Sequence, residues 1–253
     1  MIDKIGAQLY TIRSLLTDKN SVASCFERLK SIGYDEIQPA GYCGLDVKTF
    51  ASLASGAGLG ISGTLCDFNE LIANPDKAMA EHELLKTKYI GVSIMPGSYR
   101  DTPEHIMEFI GKAVEFSEII GKRGFKFTYH NHSFEFRKIF GKRVFDHMIE
   151  RFDPEYTSFV LDTYWVQHGG GDVIAWMKKL AGRIDILHLK DMGMEDTQFF
   201  TEIGNGNINF DGIIPVSEEI GVSHYVVEQD TCPGDPFESL AASRNYIKEH
   251  YSK

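Results

Sequence analysis

The chain has 253 residues, 43% of them hydrophobic, and a formal net charge of −10 at pH 7. That composition supports a sizeable core and excludes a disordered chain. The acidic balance argues against a protein that grips nucleic acid through its phosphates, which needs a local excess of Lys and Arg, and against docking on anionic membranes. The nearest approach to a basic cluster is the short "RKIFGKR" (137–143). The opening "MIDKIGAQLYTIR" has no apolar stretch of signal-peptide length, and no run of about 18 apolar residues predicts a membrane span. Cys25, Cys43, Cys66 and Cys232 form no CxxC, so reduced thiols and a cytoplasmic location are expected.

In chain order the sequence alternates strand-like and helix-like stretches. "IGAQLYT" (5–11) reads as a strand and 21–33 as a helix stopped by Gly33, a residue suited to a left-handed C-cap. The pattern recurs as strand 35–41 and helix 47–58, strand 60–66 and helix 75–88, then strand 89–95 and helix 103–121, which has Pro103 in its first turn. The second half continues with strand 125–132 and helix 144–152, strand 157–165 and helix 172–182, strand 184–191 and helix 210–221, and strand 224–230 and helix 236–250. Strands alternating with helices imply a parallel sheet. Eight such units, with no GxGxxG after the first strand, predict a closed (β/α)8 barrel rather than an open doubly wound sheet. Residues 1–253 are expected to form one such domain.

Active sites of such barrels sit at the C-terminal ends of the strands. Asp162 in "SFVLDTYW", His188 in "IDILHLKD" and Glu228 in "HYVVEQD" each break an apolar strand late in its course. Any one of them alone has an ordinary reading as a satisfied structural polar group. On three consecutive strands about 4.8 Å apart, they converge, and buried charges of this kind pair or bind metals. Strand 5 offers a fourth ligand within "YHNHSFEF" (129–136). His130 and His132 share one face of that strand and Glu135 lies just beyond it; on spacing alone any of the three completes the site. Mixed carboxylate and imidazole donors suit Mn, Co, Zn or Fe, and an open coordination sphere is the catalytic arrangement. Lys190 has the same strand parity as His188, one layer nearer the mouth; a salt bridge to Asp191 or Asp162 is its structural alternative.

Taken together, "GAQLYTIR", "YHNHSFEF", "LDTYWVQHGG", "GRIDILHLKD", "EIGNGNINF" and "VEQDTCPGDPFESL" resemble the sugar phosphate isomerase/epimerase family. This is the xylose isomerase-like TIM-barrel superfamily, which also holds inosose dehydratases, ketose 3-epimerases and endonuclease IV. The resemblance runs in order across nearly the whole chain. It implies one divalent ion (Mn, Co, Zn, Fe or Mg) held by Glu, Asp, His and Glu from strands 5 to 8. The last three correspond to Asp162, His188 and Glu228. The dehydratase-like pattern, a His-rich strand end followed by a glutamate, makes Glu135 the first. Trp165 stands where the epimerases tend to carry a histidine, and Lys190 where they tend to carry an arginine; both depart from a plain ketose 3-epimerase.

The expected activity is isomerisation or epimerisation of a keto or aldo sugar, or a related polyol, through a metal-stabilised enediolate. Glu135 and Glu228 would exchange the proton from opposite faces, assisted by Lys190 and His132. His130, Asn131, Trp165 and Tyr10 would line the substrate site. A second outcome of the same apparatus is a lyase: dehydration, or cleavage of a 3-keto-glycoside with His132 or His130 as acid. A non-catalytic sugar-binding protein is a third reading. A nuclease would need more metal ligands than these strand ends carry. The expected partner is a small carbohydrate, with no nucleic acid and no membrane; relatives allow a homo-oligomer.

Overall fold

The structure, a computed structural model, describes residues 2–252; Met1 and Lys253 lie outside the described residues. Eight parallel strands form one sheet: β1 (Gly6–Gln8), β2 (Glu36–Gln38), β3 (Gly60–Ile61), β4 (Tyr89–Val92), β5 (Lys126–His130), β6 (Thr157–Asp162), β7 (Ile184–Leu189) and β8 (His224–Val227). Consecutive strands pair, and β8 pairs back onto β1. Between β3 and β4 the sheet closes through a parallel bridge of Cys66 and Val92, with the Cys66 N–H donating to the Gly91 carbonyl at 2.8 Å. The predicted (β/α)8 barrel is therefore the observed one.

Among the described residues ten α-helices surround it: α1 (Lys19–Ile32), α2 (Val47–Gly56), α3 (Phe68–Ala73), α4 (Pro75–Leu85), α5 (Pro103–Gly121), α6 (Val144–Arg151), α7 (Thr163–His168), α8 (Val173–Lys179), α9 (Phe210–Glu219) and α10 (Pro236–Tyr251). Their ends follow local chemistry. Thr102 caps α5 by accepting the His105 N–H, with Pro103 at the first helical position. Gly33 ends α1 in the left-handed region at φ 105°.

Two departures from the expected elements bear on the site. The strand predicted over 157–165 stops at Asp162, because the Asp162 side chain accepts the Trp165 N–H and starts α7. The strand predicted over 184–191 stops at Leu189; Asp191–Met194 instead pairs antiparallel with Gln198–Thr201 as a hairpin beyond the barrel mouth.

The apolar interior has two parts. A large cluster fills the space between sheet and helices. A small one, Leu65, Tyr89, Val160, Ile186 and Val226, packs separately. Val160, Ile186 and Val226 lie two residues before Asp162, His188 and Glu228, so period-two alternation stacks the polar residues directly above an apolar plug inside the barrel.

Candidate metal centre and active site

The ends of β5 to β8 bring His130, Asp162, His188 and Glu228 together. One donor atom from each lies within 4.8 Å of every other, and all four residues are buried. His130 Nε2 is 3.2 Å from Asp162 Oδ2, and His188 Nδ1 is 3.0 Å from Glu228 Oε2 and 3.8 Å from Asp162 Oδ2. The strand register sets this: Asp162 stands opposite His188, and His130 opposite Val160, one layer below Asp162.

The outer nitrogens of the two histidines fix their tautomers. His130 Nδ1 lies 2.9 Å from the Ser93 carbonyl, which can only accept, so Nδ1 carries the hydrogen. His188 Nε2 lies 2.6 Å from Gln38 Oε1, which also accepts from Gln8 Nε2 at 2.6 Å. With the outer nitrogens so engaged, His130 Nε2 and His188 Nδ1 both face carboxylate oxygens, and with each ring neutral those inner nitrogens would offer lone pairs to a cation held between them. Two imidazole nitrogens and two carboxylates, with His130, His188 and Asp162 each oriented from behind by a hydrogen bond, are a donor set that could hold a divalent ion of the transition series.

Protein charges partly fill the same need. Lys190 Nζ is fully enclosed and contacts Asp230 Oδ1 at 2.5 Å, Glu228 Oε2 at 3.2 Å and Asp162 Oδ2 at 3.6 Å. Burial alone would raise the carboxyls of Asp162 and Glu228, but Lys190 and then the histidines outweigh it and hold both well below the usual range. Burial likewise opposes charge on His188 and Lys190; Glu228 and Asp162 reverse it, taking His188 up to about 9 and Lys190 above its ordinary value. The Lys190 backbone is held by the Thr163 hydroxyl, which accepts its N–H at 3.0 Å.

The fourth corner differs from the expected one. Glu135 is buried, but Oε1 accepts from the Tyr129 hydroxyl at 2.6 Å and Oε2 from the His132 N–H at 2.9 Å. It stands outside the cluster and outside the cleft lining, and His130 takes its place. The cause is the short 3-10 turn Phe134–Phe136, which carries Glu135 back beneath the end of β5. Burial pushes the Glu135 carboxyl up to about 7 despite those hydrogen bonds.

A cleft of about 210 Å³ opens onto the cluster, lined by His130, His132, Lys190, Glu228, Tyr10 and Asp230 among others. His132 stacks edge-on to His130 at 4.8 Å between ring centroids and lies 5.3 Å from Trp165. Burial, then His130, keeps its imidazole well below the usual pKa, so it is neutral. Tyr10 lines the cleft. Trp165 stands one layer back, beside His132 and Lys190. Asn131 is fully buried and spends its Oδ1 on the Asp162 N–H at 3.0 Å, which steadies β6 rather than lining the cleft. Gln8, Gln38 and Asp230 went unnoticed in the sequence. Each is a polar residue at or just past the end of an apolar strand, the same signal that marked Asp162, His188 and Glu228.

This site on this barrel defines the class: residues 26–250 match the family model of the xylose isomerase-like TIM barrel, and the chain belongs to that family. Inosose dehydratases from Clostridium perfringens and Geobacillus thermodenitrificans are 25% and 26% identical over 147 and 151 residues, about half of this chain, and it spans about half the length of these curated relatives. Among solved structures, a sugar phosphate isomerase/epimerase from Parabacteroides distasonis superposes with a TM-score of 0.83 at 24% identity, covering 98% of both chains. An L-ribulose 3-epimerase gives 0.75 at 14% identity, covering 98% of this chain and 94% of that one. At these identities the structural likenesses establish the fold.

Proposed function

We propose that the protein is a divalent-metal-dependent isomerase or epimerase of a sugar or related polyol, working by proton transfer next to a carbonyl. The observation that carries this reading is the pair of histidines, each held from behind by a hydrogen bond, whose inner nitrogens converge with two carboxylates at the bottom of an open cleft. His130, Asp162, His188 and Glu228 would hold the ion, which supplies Lewis acidity to a substrate carbonyl and hydroxyl.

The other roles fall to side chains around the cleft. Lys190, held charged by three carboxylates, donates a hydrogen bond to the substrate oxygen on which charge develops. Glu228 on β8 and His132 beyond β5 line the cleft from strands three places apart in an eight-strand ring, nearly across its mouth. They are the pair proposed to take and return the proton, with His132 standing where Glu135 was expected. Glu135 becomes a positioning residue: by accepting the His132 N–H it sets where that imidazole stands.

A lyase is the second reading, favoured by the similarity to inosose dehydratases and by the neutral His132 ring beside the cleft, which would take the proton from carbon and give that same proton to the leaving hydroxyl, released as water. Incubation of the Mn²⁺-loaded protein with keto sugars and inososes in D₂O separates the two. Deuterium at a carbon next to the carbonyl, with carbon skeleton and oxygens intact, supports isomerisation. Loss of water or of an alcohol supports the lyase. Neither exchange nor loss across the panel would defeat both.

A further inference from the structure

The cleft above the cluster is one of two connected lobes. The inner lobe, about 210 Å³, and an outer one of about 520 Å³ share Tyr10, Ala40, Leu65 and Ser93 in their linings. The inner lobe alone falls below the ~300–1,000 Å³ typical of small-molecule sites, and only with the outer lobe is that range reached. The space therefore exceeds what one sugar ring at the cluster would occupy.

The outer lobe combines apolar patches from Leu65, Leu71 and Ala78 with hydrogen-bonding groups from Tyr42, Asn74 and Glu81. That mixture matches a sugar, whose C–H face packs on apolar surface while its hydroxyls seek carboxylates and amides. Tyr10 stands at the junction, 42% exposed, with the Arg13 guanidinium 3.9 Å above its ring. Arg13 is itself fixed through Nη1 to the Tyr10 and Asp230 carbonyls, so the ring is a braced platform.

Charge narrows the ligand further. The two lobes carry Glu228, Asp230, Asp67, Glu70 and Glu81 against Lys190 and Lys77. Lys190 already contacts three carboxylates, and Lys77 Nζ lies 3.7 Å from Glu81. Even with a divalent ion at the cluster, the outer lobe keeps Asp67, Glu70 and Glu81 against Lys77, so a phosphate there would meet an excess of negative charge.

We propose that the substrate is a neutral glycoside of two units, with the reacting ring in the inner lobe and its partner over Tyr10 and against Tyr42, Asn74 and Glu81. This rests on the sugar-directed reading above and goes beyond it in naming the substrate class. The test is calorimetric binding to the Zn²⁺-loaded full chain of maltose, cellobiose and lactose, beside glucose, galactose and glucose 6-phosphate. The expected result is at least one disaccharide bound ten-fold or more tighter than either monosaccharide, with glucose 6-phosphate no tighter than glucose. Glu70→Trp, at an exposed position on the outer lobe, should bring the disaccharide-to-monosaccharide affinity ratio toward one; Glu81→Gln should lower it in the same direction. Tighter binding of monosaccharides or of the phosphate, or a ratio untouched by both variants, would overturn the two-unit substrate while leaving the sugar reading intact. Absence of binding by every sugar would overturn both.

Discussion

His130 and His132 sit two residues apart, on one face of a strand, and the structure gives them different work. His130 is turned inward by the Ser93 carbonyl and joins the carboxylates, whereas His132 faces the cleft beside Trp165. His130→Ala should abolish stoichiometric metal binding, read by metal analysis after gel filtration. His132→Ala should keep the metal and lose about 10²-fold or more in turnover, the usual contribution of a positioned acid or base; loss of metal in His132→Ala would contradict the division. Glu135 makes a second prediction. Its folded pKa of about 7 lies above the ordinary 4.5, so its contribution to stability is fully present below pH 4.5 and is lost as pH rises through 7. The loss is on the order of 3 kcal/mol. In Glu135→Gln that pH-dependent loss is absent, so the variant should gain on the wild type between pH 5 and 8 in chemical denaturation. A stability difference that stays flat with pH would contradict the assigned shift.

The elements were legible in the sequence wherever a local signal ends them. Pro103 starts α5 and Gly33 stops α1 where the pattern placed them, with Thr102 found as the cap before Pro103. The strands were read too long: only Gly60 and Ile61 of the predicted 60–66 form the regular strand β3, although Ser62, Thr64, Leu65 and Cys66 still donate to backbone carbonyls on either side. Asp162, His188 and Glu228 were visible as polar interruptions of apolar strands. The place of Glu135 was not, since a single 3-10 turn decides whether it faces the cluster or the His132 N–H. Nor was the loop "EIGNGNINF" explained by its residues. Asp191 holds it, accepting backbone N–H groups from Gly204, Gly206 and Ile208 at 2.9 to 3.2 Å. A Cβ on Gly206 would lie 2.3 Å from Asp191 Oδ1 and 2.5 Å from the Met192 carbonyl. Gly206→Ala should therefore destabilise the fold by about 1–3 kcal/mol, measured by urea denaturation; a neutral substitution would show that the loop is not pinned.

At the scale of the whole molecule, the closed barrel gathers residues from position 8 to position 230 around one cleft, with an apolar plug beneath and helices outside. Among the described residues no helix is long and apolar enough to cross a membrane. An ion held by these four residues on four strands would couple to global folding, because the site does not exist in the unfolded chain. A divalent ion at 100 times its Kd should stabilise the protein by about 2.7 kcal/mol, a rise in Tm of roughly 5–10 °C for a chain of this size. Chelation should reverse the rise, and His188→Ala should not show it. The central claim, that His130 rather than Glu135 completes the metal centre, is tested most directly by a crystal structure of the Mn²⁺-loaded protein. The account predicts one ion bonded to His130 Nε2, Asp162, His188 Nδ1 and Glu228 at about 2.0–2.3 Å, with Glu135 still bonded to Tyr129 and the His132 N–H. An ion bonded to Glu135 with His130 turned away, or no ion at this site at saturating Mn²⁺, would contradict it.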